Sequence, residues 1–404
     1  MWTISWYQVP QSSQDEFWNA IQLKVKLDDV EELTEFLGRF HHLSSNSCVF
    51  NMIDYCEEAI NGYKEITNAT LKHVTTPYVS DGVLTDQDYE ITGEIAHKAS
   101  SVLMKLLWVS RLCRPDLAFG ICLLAGQVTT WSRNSDKQLF RLVSYLESTK
   151  AMCLHLTVMD EPQNCALDLF CDTDLGGCPH TAKSTSGLFL VVRGPNGTFV
   201  PLAWHARRQQ HVARSTADAE LNSLSEGLHE ELLPVVQLLD KLLGSSSPRP
   251  VVREDNSAVV AAITKGYSIK LRHLARTPKL SLASLNEACS TWCSLVQTPT
   301  ADQLGDYFTK CLAPNKFDPS RLGLRIKSNS PTLSFVRTLL DFVRSLVSKG
   351  TVTSFPKRVG PRLFSWQYAA FALQRLSFPA LLLLPWISAG MQLTLNLSWP
   401  MCFF

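Results

Sequence analysis

The chain has 404 residues, enough for two or three domains that each bury a core. Its 38 Lys plus Arg balance 37 Asp plus Glu, so net charge gives no global pull towards nucleic acid and any basic surface has to be local. The 12 cysteines form no CxxC pair, and Cys289 and Cys293 lack His or Cys partners at zinc spacing, which excludes a zinc ribbon and points to reduced intracellular thiols.

The amino terminus, MWTISWYQVPQSSQDEF, has no basic region followed by an apolar core, so cytoplasmic synthesis is expected, with the nucleus as the other compartment. Residues 17–27 mix apolar and charged positions, and residues 30–40 reach Gly38, a residue suited to end an element. From Asn51 onward, Met52, Cys56, Ala59, Ile60 and Tyr63 recur at helical spacing and predict an amphipathic helix. Residues 67–88 read as a loop broken by Pro77 and Gly82. A long helix is expected over 91–111, stopped by Arg114-Pro115. Asp116 is expected to cap the next helix, and a third runs over 136–148 into STKAMCLHL. The charges of this helical region fit solvated faces, and none looks catalytic.

The stretch 164–190, NCALDLFCDTDLGGCPHTAKSTSGLFL, reads as a strand that delivers Asp172 at its carboxyl end, a loop turned by Gly176-Gly177, and a returning strand. Gly194-Pro195-Asn196-Gly197 then predicts a hairpin, so three antiparallel strands are expected. Ser215 or Thr216 caps one helix ending at Gly244, with Glu220 on the same side as Leu224 and Leu228. A strand over 250–254 ends in Asp255-Asn256, a helix follows over 257–264, and a last strand covers 294–297. A helix over 302–310 carries Asp306. A lone strand-end aspartate usually just starts a turn. Four carboxylates in one cleft repel one another unless hard cations neutralise them. Two Mg²⁺ ions about 3.5 to 4 Å apart suit phosphodiester hydrolysis. No His occupies 298–301, so an imidazole proton shuttle there is unsupported.

FCDTDLGGCPHTAKSTSG, STADAEL, EDNSA and QLGDYFTK, in that order, resemble the ribonuclease H domain of copia-type retrotransposon Pol polyproteins. The resemblance covers about 165–317 and implies an α/β, ribonuclease H-like mixed five-stranded sheet flanked by helices. It implies Asp172, Glu220, Asp255 and Asp306 as catalytic and metal-binding residues, two Mg²⁺ ions with Mn²⁺ as substitute, and an RNA·DNA hybrid as substrate. Lys183, Ser184, Arg272 and His273 also match family positions and, with Asn256, are expected to contact nucleic acid. Arg207, Arg208 and Arg214, beside His211, form a local basic cluster suited to phosphates. Leu175, Leu221 and Asp218 depart from the family pattern beside the expected ligands, and Asp174, Asp218, Glu254 and Asp302 are the second choices.

Residues 103–124 and 145–156 resemble the thumb and connection of the copia-type reverse transcriptase, and Glu35-Phe36-Leu37-Gly38 resembles the end of its palm. The Tyr-x-Asp-Asp hairpin of that polymerase is missing, so the chain is expected to start downstream of it, and no polymerase activity is assigned. The expected organisation is a palm-end remnant and linker over 1–90, a mainly helical thumb-like region over 91–160 and a ribonuclease H-like domain over 164–320. A hydrophobic extension follows over 325–404, and the remainder of a reverse transcriptase polyprotein is an expected partner. Residues 376–404 carry no charge, but Pro379, Pro385, Pro400 and several polar residues argue against a clean membrane-spanning helix. The alternative function is a catalytically inactive, nucleic-acid-binding relic of a retroelement; a membrane-tethered structural protein rests on the tail alone.

Overall fold

Leu37 and Gly38 have φ of 54° and 78°, the left-handed pair that closes a two-residue hairpin between β1 (Glu35–Phe36) and β2 (Arg39–Leu43). Gly38 therefore ends β1, as expected, by turning the chain back into the same sheet. The computed structural model describes residues 34–79, 82–178, 181–275 and 280–328; the stretch 17–27 and the apolar tail 376–404 lie outside them. No helix among the described residues is long and apolar enough to cross a membrane.

After β3 (Ser47–Asn51), α1 (Ile53–Thr67) buries Cys56, Ala59, Ile60 and Tyr63, the stripe that the spacing predicts. A short α2 (Asp86–Glu90) closes the loop region, its first turn capped by Thr85. The helix expected from residue 91 begins only at α3 (Ala99–Leu112). Thr92 instead bridges Ser132, and a Cβ on Gly93 would lie 2.6 Å from the Ser132 carbonyl, so the chain there is pressed flat against its neighbour. Asp116 does not cap α4 (Ala118–Ala125): it is fully buried and accepts from Arg114 and Tyr145, so this region is not charged on solvated faces alone. α5 (Arg133–Thr149) starts from a Ser132–Ser135 capping box.

The run expected to prolong that helical region, Met152–Thr157, is strand β4, paired with β3 along Ser47–Phe50. Tertiary pairing has overridden the local reading. β5 (Ala166–Thr173), β6 (Thr185–Arg193) and β7 (Phe199–Arg208) are the three antiparallel strands expected. Ser215 caps α6 (Thr216–Glu226), but the long helix is interrupted by a π-helical turn, Gly227–Leu232, before α7 (Leu233–Leu243). Pro234, which lacks an N–H to donate, follows that turn and disfavours an unbroken α ladder across it. β8 (Arg249–Glu254), α8 (Ser257–Lys265), α9 (Leu282–Thr291) and β9 (Ser294–Gln297) come next, with β8 parallel to both β5 and β9. The helix expected over 302–310 is two 3-10 turns, Thr300–Asp302 and Leu304–Phe308, followed by α10 (Pro314–Gly323) and β10 (Ile326–Ser328).

Among the described residues the sheet has ten strands, five of them from residues 166–297, in the order β1-β2-β3-β4-β7-β6-β5-β8-β9, with β10 also paired to β4. The strands of residues 166–297 form one mixed half, joined to the other at the single register pair Thr157–Phe199. Phe317 of α10 bridges the helical region to the sheet: it lies 5.6 Å from Tyr145, 5.7 Å from Tyr78 and 4.9 Å from Tyr307, centroid to centroid. Phe308 continues the contact by stacking on Phe189 of β6.

Candidate metal centre

Because β5 and β8 run parallel and adjacent, their carboxyl ends open on the same edge of the sheet. Asp172, next to last in β5, and Asp255, immediately after β8, therefore emerge side by side. Glu220 reaches them from α6, and Ser223, one turn on, donates to the Asp172 carbonyl at 3.0 Å and seats the helix on the strand. One oxygen each of Asp172, Glu220 and Asp255 lies within 4.8 Å of the others. Asp306 joins through Lys310, whose Nζ is 2.6 Å from Asp306 Oδ1 and 3.3 Å from Asp172 Oδ1. Thr309 Oγ1 donates to Asp172 Oδ2, and Thr300 Oγ1 to Asp255 Oδ2 at 2.8 Å.

The turn that carries Asp306 approaches β5 with its backbone. A Cβ on Gly305 would sit 2.9 Å from Asp172 Cβ and 3.0 Å from its amide nitrogen, so only glycine fits. Gln303 Nε2 donates to the Cys171 carbonyl at 3.0 Å and holds that approach.

Like charge and burial dominate the electrostatics. Burial, reinforced by Asp306 and opposed by Lys310, raises the Asp172 pKa to about 7. Burial, then Glu254 and Asp172, raises Glu220 to about 10. Glu254 is raised to about 8, again chiefly by burial, although its carboxylate receives the Asn256 N–H at 3.0 Å. Burial works against the charge of Lys310, but Asp172 and Asp306 beside it hold its pKa above the ordinary lysine value. Glu220 Oε2 and Glu254 Oε2 are buried without a hydrogen-bond partner. Orphaned carboxylate oxygens beside further carboxylates are the hard donor set that a divalent cation takes, so the largely buried triad fits a metal ion.

Of the second choices, Asp174 accepts from the Thr185 amide and braces the loop. Asp218 accepts from the Arg214 amide at 2.9 Å and lies 3.1 Å from His273 Nε2. Asp302 is exposed, whereas Glu254 is wholly buried beside the triad. Among the residues expected to bind nucleic acid, Ser184 is fully buried and accepts from the Gly176 amide, and Asn256 caps α8. Arg207 pairs with Glu230 at 2.9 Å, and Arg208 donates to Cys178 Sγ at 2.7 Å. Arg214 and Arg272 are exposed, and Lys183 is half-buried. Lys310 and Thr309 went unassigned in the sequence. The signal for Lys310 is its spacing of four from Asp306; Thr309 carries none.

No protein-family model matches the chain. Residues of this chain are 26% identical over 201 positions to the retrovirus-related Pol polyprotein from transposon RE2 of Arabidopsis thaliana, a match covering 50% of this chain and 13% of that polyprotein. The Pol polyprotein from transposon RE1 of the same plant is 25% identical over 214 positions, 52% of this chain and 14% of the relative. A protein of transposon Ty5-1 from Saccharomyces cerevisiae is 24% identical over 206 positions, 50% of this chain and 63% of the relative. The chain thus spans less than two thirds of each of these curated relatives. Relatives from a plant and a yeast share one kind of source, and the chain is a relative of retrotransposon Pol polyproteins.

Proposed function

We propose that residues 164–320 form a ribonuclease H-like domain that hydrolyses the RNA strand of RNA·DNA hybrids with Mg²⁺, or Mn²⁺ in its place. The observation that carries this reading is the carboxylate triad of buried Asp172 and Glu220 with half-buried Asp255, drawn from two strand ends and a helix to within 4.8 Å. Supporting it are the mixed five-strand unit β7-β6-β5-β8-β9 and the retrotransposon relatives. Divalent ions held there would activate water and stabilise the leaving oxygen of a phosphodiester. The chain's own share is to hold the ligand oxygens on rigid elements, through Ser223, Thr300 and Gln303, and to place Asp306 and Lys310 at the rim. Residues 91–160 would then serve as a thumb and connection towards the remainder of a polyprotein, with Arg207, Arg208, Arg214, Lys183, Arg272 and His273 facing the hybrid.

A second reading, a catalytically inactive binder of nucleic acid, is favoured by Lys310, whose ammonium already neutralises Asp172 and Asp306. Cleavage of a labelled hybrid by the purified chain separates the two. The nuclease cuts RNA in the hybrid, spares free single-stranded RNA, and loses ~100-fold or more in rate in Asp172→Asn with the fold intact. Asp174→Asn, whose carboxylate braces a loop amide, is the control; if it is the damaging change, the ligand assignment is displaced by two residues. A folded chain that binds hybrid and never cuts it with either metal is the inactive binder.

A further inference from the structure

On the face of β5 that carries Asp172, but towards the start of the strand, lies a cavity of about 700 Å³ lined by Asp168, Arg193, Arg249, Arg253 and Arg325. Asp168 and Asp172 are four positions apart on the same face, about 13 Å at strand rise. Four guanidinium groups meet one carboxylate, an excess of three positive charges among the lining residues.

The arrangement is built rather than splayed. Arg193 and Arg253 both donate Nε to the buried Asp168, the latter at 2.8 Å, and both guanidinium groups lie over the Phe170 ring, at 4.9 and 5.8 Å from its centroid. Those bonds use one edge of each fork and leave terminal amino groups for a ligand. Arg249 is steadied by Ser294 Oγ at 2.6 Å. Arg325 lies 5.1 Å from the Phe199 centroid and adopts φ of 62°, a left-handed backbone that non-glycine residues seldom take and that here brings the side chain to the cavity. The nearby Asp160 does not line the cavity; it is spent on the amides of Asn196 and Thr198.

We propose that this cavity is a phosphate-binding site, separate from the carboxylate cluster. Planar forks that converge from β6, β8 and the turn before β10 match the oxygens of a phosphate, and stacking on Phe170 and Phe199 restricts the guanidinium groups before binding. The phosphate is either a small free anion or a phosphodiester of a nucleic-acid strand. The two sources present the same oxygens and are told apart by competition.

The test uses the full chain without divalent metal, titrated calorimetrically with inorganic pyrophosphate and with a single-stranded DNA dodecamer. The expected result is saturable binding of at least one probe, weakened ~10-fold or more in Arg249→Gln/Arg325→Gln and unchanged in Lys105→Gln, which removes a surface cation paired with Glu58 away from the cavity. That double variant leaves the Asp168–Arg193–Arg253 group intact, and Arg249→Gln alone, exposed at the start of β8, is the fallback if the pair fails to fold. Pyrophosphate displacing the dodecamer assigns a strand phosphate; pyrophosphate binding without the dodecamer assigns a small anion. Absence of binding by either probe, or equal binding by the folded variant, overturns the site.

Discussion

The Arg114 guanidinium is fully buried, and its donors are matched: two go to the Asp116 carboxylate at 2.9 and 2.7 Å, and others go to the Thr149 carbonyl and hydroxyl at 2.9 and 2.7 Å. Tyr145 completes the group by donating to Asp116 at 2.6 Å. Around Asp172 the chain does the reverse. It gathers Glu220, Glu254 and Asp255 beside a buried aspartate, leaves two carboxylate oxygens without partners, and offers one partly exposed lysine in return. The first cluster joins the end of α3 to the end of α5 and serves the fold. The second opposes the fold, and fixed like charge of that kind marks a place where a ligand supplies the balance.

Breaking the matched cluster should therefore show the larger stability effect. Asp116→Ala leaves a buried guanidinium uncompensated and is expected to cost about 3–5 kcal/mol, read from denaturant unfolding at neutral pH. Replacing both partners by apolar residues, Arg114→Met with Asp116→Leu, should recover most of that loss. A single substitution no worse than the pair would show that the cluster does not act as a unit.

The unmatched cluster should respond with the opposite sign. Asp172, Glu220 and Glu254 have folded pKa values of about 7, 10 and 8, above the ordinary carboxylate range. Between that range and those values the folded chain holds more protons than the unfolded one, so this contribution to stability is complete at low pH and is lost as pH rises. The Tm of the metal-free protein is expected to fall from about pH 5 to about pH 9, apart from what other groups add. Glu220→Gln should stabilise the metal-free protein by ~1–3 kcal/mol near pH 8, and added Mn²⁺ should narrow the difference by stabilising the parent. Equal pH slopes for parent and variant would remove Glu220 from this account.

Lys310→Gln sharpens the comparison further, because it withdraws the cation that opposes the rise at Asp172. The Asp172 midpoint, followed by carboxylate NMR, should move upward from about 7. A downward shift would mean that the ammonium does not face Asp172 in solution. The smallest effect is expected outside both clusters. Arg207→Ala breaks an exposed pair with Glu230 and should change stability by less than about 1 kcal/mol. With Arg208→Ala it should weaken hybrid binding and reduce the salt slope by about one per lost phosphate contact. An unchanged slope would leave both arginines to the surface charge balance.

Local chemistry made much of this molecule legible in the sequence. Short apolar runs and their turn residues marked β5 to β9, Ser215 marked the start of α6, and the stripe from Cys56 to Tyr63 marked α1, because each signal depends on neighbours a few residues away. The acidic residues at the ends of β5 and β8 were visible for the same reason. Their meeting with Glu220 was implied only by the family resemblance and not by local pattern, since it depends on β5 and β8 being adjacent and parallel. Tertiary pairing alone made Met152–Thr157 a strand, and contact with β5 placed Gly305 and the 3-10 turn that bears Asp306. Lys310 lies between two carboxylates for the same reason, one near it in sequence and one 138 residues away. The arginine cavity is the clearest case. Arg193, Arg249, Arg253 and Arg325 are unremarkable as isolated charges in the sequence, and only strand order and the return of the chain after α10 bring them around Asp168.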